Sequence, residues 1–250
     1  MIALETRALD KSFGAINVTQ NVSLAFEQGR RYAIIGPNGA GKTTYFNLLA
    51  GNLKPDAGAI LFEGKDVTRL DATSRARIGI SRSFQRNNLF PDLTVKDNLA
   101  LACALRTGAT RNFWRPMRGL TGIAAEAIEV AAQVGLADVL DTTARAMSYG
   151  SQRQLEVALA LALRPRVLLL DEPTSGMSPE ETALMHRLIS GLPRSLTIII
   201  IEHDMDIVLD FADEIIVLDY GRVLEQGAPA AIRSSQLVRD RYLGEAQAAR

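Results

Sequence analysis

The sequence predicts an α/β fold: a mostly parallel sheet at its core, a β-rich N-terminal part forming an antiparallel subdomain, and an inserted helical subdomain. Three observations lead there. Residues 167–170 and 198–201 are unbroken apolar runs of strand length, the pattern of strands buried on both faces beneath helices. From residue 167 onward, strand and helix patterns alternate. A glycine-rich loop at 36–41 separates a strand pattern from a helical one.

In chain order, residues 6–9, 22–26, 31–35 and 59–63 read as strands, separated by turn-forming Gly14, Gly29, Gly58 and Gly64. Residues 42–50 read as a helix that Gly51 stops. The middle changes character. Residues 94–105 have helical periodicity, with Thr94 and Asp97 spaced as a capping pair. Residues 107–122, with Phe113 and Trp114, read as a variable connection, and 124–134 and 152–163 are again helical. Then follow strand 167–170, helix 179–192, strand 197–201, helix 205–211 and strand 214–218. An α/β core split between 1–86 and 160–250 is expected, with the helical subdomain at 87–159 between its parts.

The chain carries 28 Lys+Arg against 28 Asp+Glu, a formal charge of zero. That argues against a nucleic-acid partner held by a strong positive field. Cys103 is the single cysteine, which excludes an intrachain disulfide and a Cys-rich metal site and fits a reducing compartment. The apolar runs fall well short of the roughly 18 residues that suggest a spanning helix, and the first residues do not read as a signal peptide. Work at a membrane would need another chain to carry this one there.

Gly36-Pro-Asn-Gly-Ala-Gly-Lys-Thr43 fits the phosphate-loop pattern G-x-x-x-x-G-K-[ST] at every fixed position, between a strand and a helix. Glycines let backbone N–H groups curl around phosphates, and the helix directs its positive end at the same anion. Gly36, Pro37, Asn38, Gly39, Ala40, Gly41, Lys42, Thr43 and the adjoining Thr44 are the candidate nucleotide-binding residues. Lys42 adds a point charge near the β- and γ-phosphates, and Thr43 offers a hydroxyl to Mg²⁺. Val167-Leu-Leu-Leu-Asp-Glu172 is an apolar strand ending in two acids, where open parallel sheets bind ligands. Asp171 is the candidate Mg²⁺ ligand. Glu172 is the candidate base for a water attacking the γ-phosphate. Ile198-Ile-Ile-Ile-Glu-His203 repeats the design, and His203 could bond the γ-phosphate. His186, without partners, reads as structural.

In this order the motifs resemble the ATP-binding subunit of ABC transporters over nearly the whole chain. Met147-Ser-Tyr-Gly-Ser151 is similar to that family's signature, usually written LSGGQ, with Met for Leu, Tyr149 for the first Gly, and Ser151 at the Gln position before Gln152. The resemblance implies a P-loop ATPase fold binding ATP and Mg²⁺. It also implies a head-to-tail pair of ATPase subunits, alike or merely related, in which Ser148, Gly150, Ser151 and Gln152 of one close over the γ-phosphate held by the other. Gln85, in Ser83-Phe-Gln-Arg86, matches the glutamine loop and is implied to reach Mg²⁺ and the attacking water. Phe13 matches the aromatic that stacks on adenine. Ser175-Gly-Met-Ser178 matches the loop that pairs across the dimer.

The segments Leu89-Phe-Pro-Asp-Leu-Thr-Val95, Gly176-Met-Ser-Pro-Glu-Glu181 and Tyr242-Leu-Gly-Glu-Ala246 resemble the subgroup serving branched-chain amino-acid uptake. This implies integral membrane permeases as partners, a periplasmic solute-binding protein acting indirectly, and a place on the cytoplasmic face of the inner membrane. A permease dock that includes residues 87–95 is expected, because Leu89 and Phe90 put apolar side chains beside Gln85. Alternatives at this point are a soluble ABC ATPase, such as one of iron–sulfur assembly, a nucleotide-binding module that does not hydrolyse, and a P-loop kinase.

Overall fold

The computed structural model describes residues 1–83, 89–107 and 121–239. Gln85, Arg86, Phe113, Trp114 and the 242–246 segment lie outside them. The strands are β1 (Ile2–Phe13), β2 (Ile16–Glu27), β3 (Arg31–Ile35), β4 (Ala57–Phe62), β5 (Lys65–Asp66), β6 (Ile80–Arg82), β7 (Val167–Asp171), β8 (Thr197–Ile201), β9 (Glu214–Asp219) and β10 (Arg222–Gly227). An antiparallel sheet runs in the order β2-β1-β4-β5. A larger sheet runs β10-β9-β3-β8-β7-β6, parallel except for the antiparallel edge strand β10.

Strand periodicity explains the unbroken apolar runs. Successive side chains leave a strand on opposite faces. Ala33, Ile35, Leu168, Leu170, Ile198 and Ile200 enter one core cluster, and Tyr32, Ile34, Val167, Leu169, Ile199 and Ile201 enter the other. Each face is covered, so a polar group at these positions needs a partner, as the Tyr32 hydroxyl has in the Glu27 N–H at 2.8 Å. Burying one such side chain contributes about 1.5–3 kcal/mol.

Among the described residues the α-helices are α1 (Lys42–Ala50), α2 (Ala72–Ile78), α3 (Val95–Thr107), α4 (Thr121–Gln133), α5 (Tyr149–Ala162), α6 (Pro179–Ser190), α7 (Met205–Phe211), α8 (Pro229–Ser234) and the single turn α9 (Gln236–Val238). The second cluster joins Phe46, Leu48 and Leu49 of α1 to Leu4, Phe26 and Ile60 of the antiparallel sheet. The first joins Leu99 and Cys103 of α3, Ala127 and Ala131 of α4, and Leu155 and Ala158 of α5 to the parallel sheet. No helix among the described residues is long and apolar enough to cross a membrane.

The helix α1 has the bounds its sequence predicts, with Gly51 left-handed at its C-cap. Strands β1 and β2 are longer than expected, because their exposed faces carry charged and polar residues that mask the alternation. Elements β5, α2, β6, β10, α8 and α9 were not expected from the sequence. The α2 core position is filled by Arg75, which breaks any apolar periodicity. Arg75 is fully buried and donates to five carbonyls, Leu48, Leu49, Val67, Thr68 and Leu70. Two of these lie in the last turn of α1, whose orphan carbonyls it caps. Burial pushes its pKa down to about 10.

Candidate functional site

The loop between β3 and α1 needs its glycines. Gly36 has φ 151° and Gly41 φ 95°. A Cβ at Gly36 would lie 2.1 Å from the Leu218 carbonyl oxygen, and one at Gly41 would lie 2.3 Å from that of Val18. The loop is thus wedged between β9 and β2, and only backbone fits. Helix α1 begins with no side-chain cap and no acid in its first turn. Its first amides therefore remain available to an external anion. Lys42 is buried, and its Nζ donates to the Gly36 and Pro37 carbonyls at 2.7 and 2.9 Å. Burial lowers its pKa, opposed by the charges of Glu172 and Asp171. Thr43 is exposed and Thr44 half-buried beside it.

Parallel pairing brings the ends of β7 and β8 together, with Asp171 opposite Ile201. The Asp171 carboxylate is shut off from solvent. Its Oδ2 accepts from Arg82 Nη2 at 2.6 Å, while Oδ1 is buried with no partner among the described residues. Burial raises its pKa and Arg82 opposes the rise. Arg82 also donates to Asn47 Oδ1 of α1 at 2.5 Å, tying the acid to the phosphate-loop helix. Glu172 follows with a left-handed backbone, φ 47°, a strained conformation for a residue with a Cβ. Its N–H donates to Ile201 O at 2.9 Å, and its Oε1 lies 2.7 Å from His203 Nε2.

Glu202 fixes both flanking loops from beneath. It is buried, accepts from the Thr174 hydroxyl at 2.7 Å and N–H at 3.2 Å, and accepts from the His203 N–H at 3.1 Å. Burial raises its pKa. The structure therefore brings the loop 36–43, Asp171, Glu172 and His203 to one end of the sheet. Sequence reasoning missed Arg82, Asn47, Thr174 and Glu202. Only Glu202 carried a signal, as a carboxylate directly after an apolar strand.

Ser148 caps α5, accepting from the Ser151 N–H at 3.2 Å, and the two hydroxyls lie 3.1 Å apart. Gln152 folds back onto the Ala144 and Met147 carbonyls at 3.1 and 3.3 Å. The Gly150 N–H donates to Glu181 Oε1 at 3.1 Å. Among the described residues, no hydrogen bond joins these four positions to residues 36–43. Phe13 is 49% exposed at the end of β1, paired with Ile16, two residues before the Val18 that abuts Gly41. Gln85 lies outside the described residues. Leu89 is half-buried and packs against the core, and Phe90 beside it is 53% exposed.

Residues 19–175 match the family described as ABC transporter. The high-affinity branched-chain amino acid transport ATP-binding protein BraF of Pseudomonas aeruginosa is 38% identical over 253 residues, covering 97% of this chain and 98% of BraF. The ADP conformation of MJ1267, an ATP-binding cassette of an ABC transporter, has a TM-score of 0.84 at 28% identity, covering 98% of this chain and 99% of that one. The dimeric post-hydrolysis cassette MJ0796, bound to ADP and Pi, has a TM-score of 0.76 at 25% identity, covering 90% and 98%. The family match spans more than half of the chain, and the chain belongs to the ABC transporter family, with the fold of its ATP-binding cassettes.

Proposed function

We propose that this chain is the ATP-hydrolysing subunit of an importer, powering uptake of branched-chain amino acids or a related small polar solute through separate membrane permeases. The pairing of Glu172 with His203 beside the Lys42 loop carries the ATPase reading. The likeness to BraF supports the solute class.

The residues fit a Mg²⁺-bound triphosphate. Uncapped amides and Lys42 suit phosphate oxygens, and the bare Oδ1 of Asp171 with the Thr43 hydroxyl suits a hard cation. Thr43, Gln85 and Asp171 would hold the ion, which when bound neutralises charge on the phosphate oxygens. Residues 36–44 cradle the phosphates and Phe13 stacks on the base. Glu172 takes a proton from the attacking water as its oxygen bonds the γ-phosphorus and the bond to the β–γ bridging oxygen breaks. His203 orients that carboxylate and reaches the γ-phosphate. Ser148, Gly150, Ser151 and Gln152 act on the nucleotide of a second ATPase chain; because the Gly150 and Ser151 amides are bonded to Glu181 and Ser148, the serine hydroxyls are the groups offered to the anion. The dimeric MJ0796 cassette supports such pairing.

In this reading the helical subdomain, 87–159, swings as the pair closes, and Phe90 meets a permease on the cytoplasmic face of the inner membrane. A periplasmic binding protein would deliver the solute from the other side. The test is reconstitution: the chain, purified with its membrane partners into vesicles, drives ATP-dependent leucine uptake. Hydrolysis by a chain that co-purifies with no membrane protein would favour the soluble alternative.

A further inference from the structure

We infer that Tyr149 and Glu181 are positioning residues that fasten the turn at 148–151 to the loop after Glu172. One protomer's hydrolytic strand end would thereby set the turn it offers to its partner's nucleotide, a consequence that rests on the shared-site reading above.

The first fastening explains why a tyrosine stands where the family pattern has glycine. Its hydroxyl donates to the Ser175 carbonyl at 3.1 Å and accepts from Arg153 Nε at 3.0 Å. The Arg153 guanidinium lies over the Tyr149 ring, 5.3 Å from its centroid, and is anchored by Glu156 at 2.8 Å. Gly176, with φ 78°, lies beside the same ring, where a Cβ would be in van der Waals contact with the Tyr149 hydroxyl at 3.4 Å. Ser175 in turn donates its N–H to the Glu172 carbonyl at 3.1 Å. A continuous hydrogen-bonded path therefore runs from the Glu172 backbone through Ser175 to Tyr149.

The second fastening is parallel to the first. Glu181 Oε1 accepts from the Gly150 N–H at 3.1 Å, and Oε2 accepts from the Ser178 N–H at 3.0 Å. Ser178 caps α6 in return, so both carboxylate oxygens are committed and the side chain is fixed. A Cβ on Gly150 would lie 2.5 Å from Glu181 Oε1, so a larger residue there would push this carboxylate aside. A turn bolted at two successive residues cannot shift without the loop that carries Glu172.

The experiment compares hydrogen exchange of the full-length chain with that of Tyr149→Phe, which keeps the ring but loses the donor, and Glu181→Ala. Exchange across 147–155 should rise about tenfold in each, the order of one lost hydrogen bond, while residues 36–44 and the affinity for a fluorescent ATP analogue stay unchanged. In a Glu172→Gln background, Tyr149→Phe should also raise severalfold the Mg-ATP concentration for half-maximal pairing. Unchanged exchange in both variants overturns the fastening. Faster exchange with unaltered pairing overturns its transmission to the partner. A Glu172→Gln chain that never pairs with any cassette subunit removes the shared-site reading instead, and exchange alone then decides the fastening. Should Glu181→Ala fail to fold, Tyr149→Phe carries the comparison.

Discussion

His203 Nε2 lies 2.7 Å from Glu172 Oε1, although the two side chains follow different strands. The register of β7 against β8 brings the two strand ends together: with Asp171 opposite Ile201, Glu172 leaves its strand level with Glu202, and His203 follows one residue later and turns its ring back to the carboxylate. Glu202 then locks the backbone on both sides through Thr174 and His203. A base held by a neighbour has one orientation, which is what proton transfer at a fixed point needs.

Glu172→Gln should keep Mg-ATP affinity and lose hydrolysis by about 10²–10⁴-fold, the usual contribution of a general base. Phosphate release beside calorimetric nucleotide binding measures both. Turnover near the parent level would take Glu172 out of the chemistry.

His203→Ala should slow hydrolysis by about 100-fold while leaving ATP affinity within severalfold, because it removes both the orienting bond to Glu172 and a γ-phosphate contact. An equal loss of ADP and ATP binding with intact turnover would contradict that division of roles.

Lys42→Ala should weaken ATP binding by at least about tenfold, the order of one charge-assisted hydrogen bond. Its ammonium also bridges the Gly36 and Pro37 carbonyls, so the loop itself loses two bonds. Calorimetry with ATP and with adenosine separates the two: adenosine, which has no phosphate, should lose far less. Equal losses for both would mean that the lysine only holds the fold.

The strands and loops that make this site were legible wherever chemistry and burial point the same way. Residues 31–50 read correctly because apolar strand, glycine loop and helix each have a composition of their own. Residues 167–170 and 197–201 read correctly as strands because buried parallel strands are apolar. Legibility failed where a polar residue occupies a buried position. Arg75 in α2 is held by the Leu48 and Leu49 carbonyls of α1 as well as by nearer ones, and Arg82 in β6 by Asp171, and no periodicity records such partners. Tyr149 and Glu181 were visible as residues, but their bond partners lie 26 and 31 positions away. Leu89 shows the converse: an apolar residue beside the glutamine loop reads equally well as a dock or as core, and half-buried against the core it keeps surface for either.

Arg75→Ala should destabilise the chain by about 3 kcal/mol or more, since it strands buried carbonyls at the end of α1 and leaves a cavity. Arg75→Lys keeps the charge with fewer donors and should fall between. Urea unfolding gives both values. A loss below about 1 kcal/mol for the alanine variant would mean that water replaces the guanidinium at those carbonyls.

Glu156 gives a pH dependence whose sign follows from its surroundings. It is buried in α5, with Oε2 bonded to Arg153 at 2.8 Å and Oε1 without a partner among the described residues. Burial raises its pKa, and the Arg153 bond and charge only partly offset the rise. The native state therefore keeps this proton to higher pH than the unfolded chain does. Its contribution to stability is fully present below the unfolded carboxylate pKa and is lost as pH rises through the native one. Glu156→Gln cannot titrate, and its amide oxygen can still accept from Arg153. The stability of the Gln variant relative to the parent should thus be more favourable at pH 8 than at pH 4.5, with the gap opening as the native carboxyl ionises. Urea unfolding of both chains at the two pH values measures it, and the contributions of all other groups cancel in the difference. A gap that stays constant, or opens toward acid, would mean that Arg153 more than compensates the burial of this carboxylate.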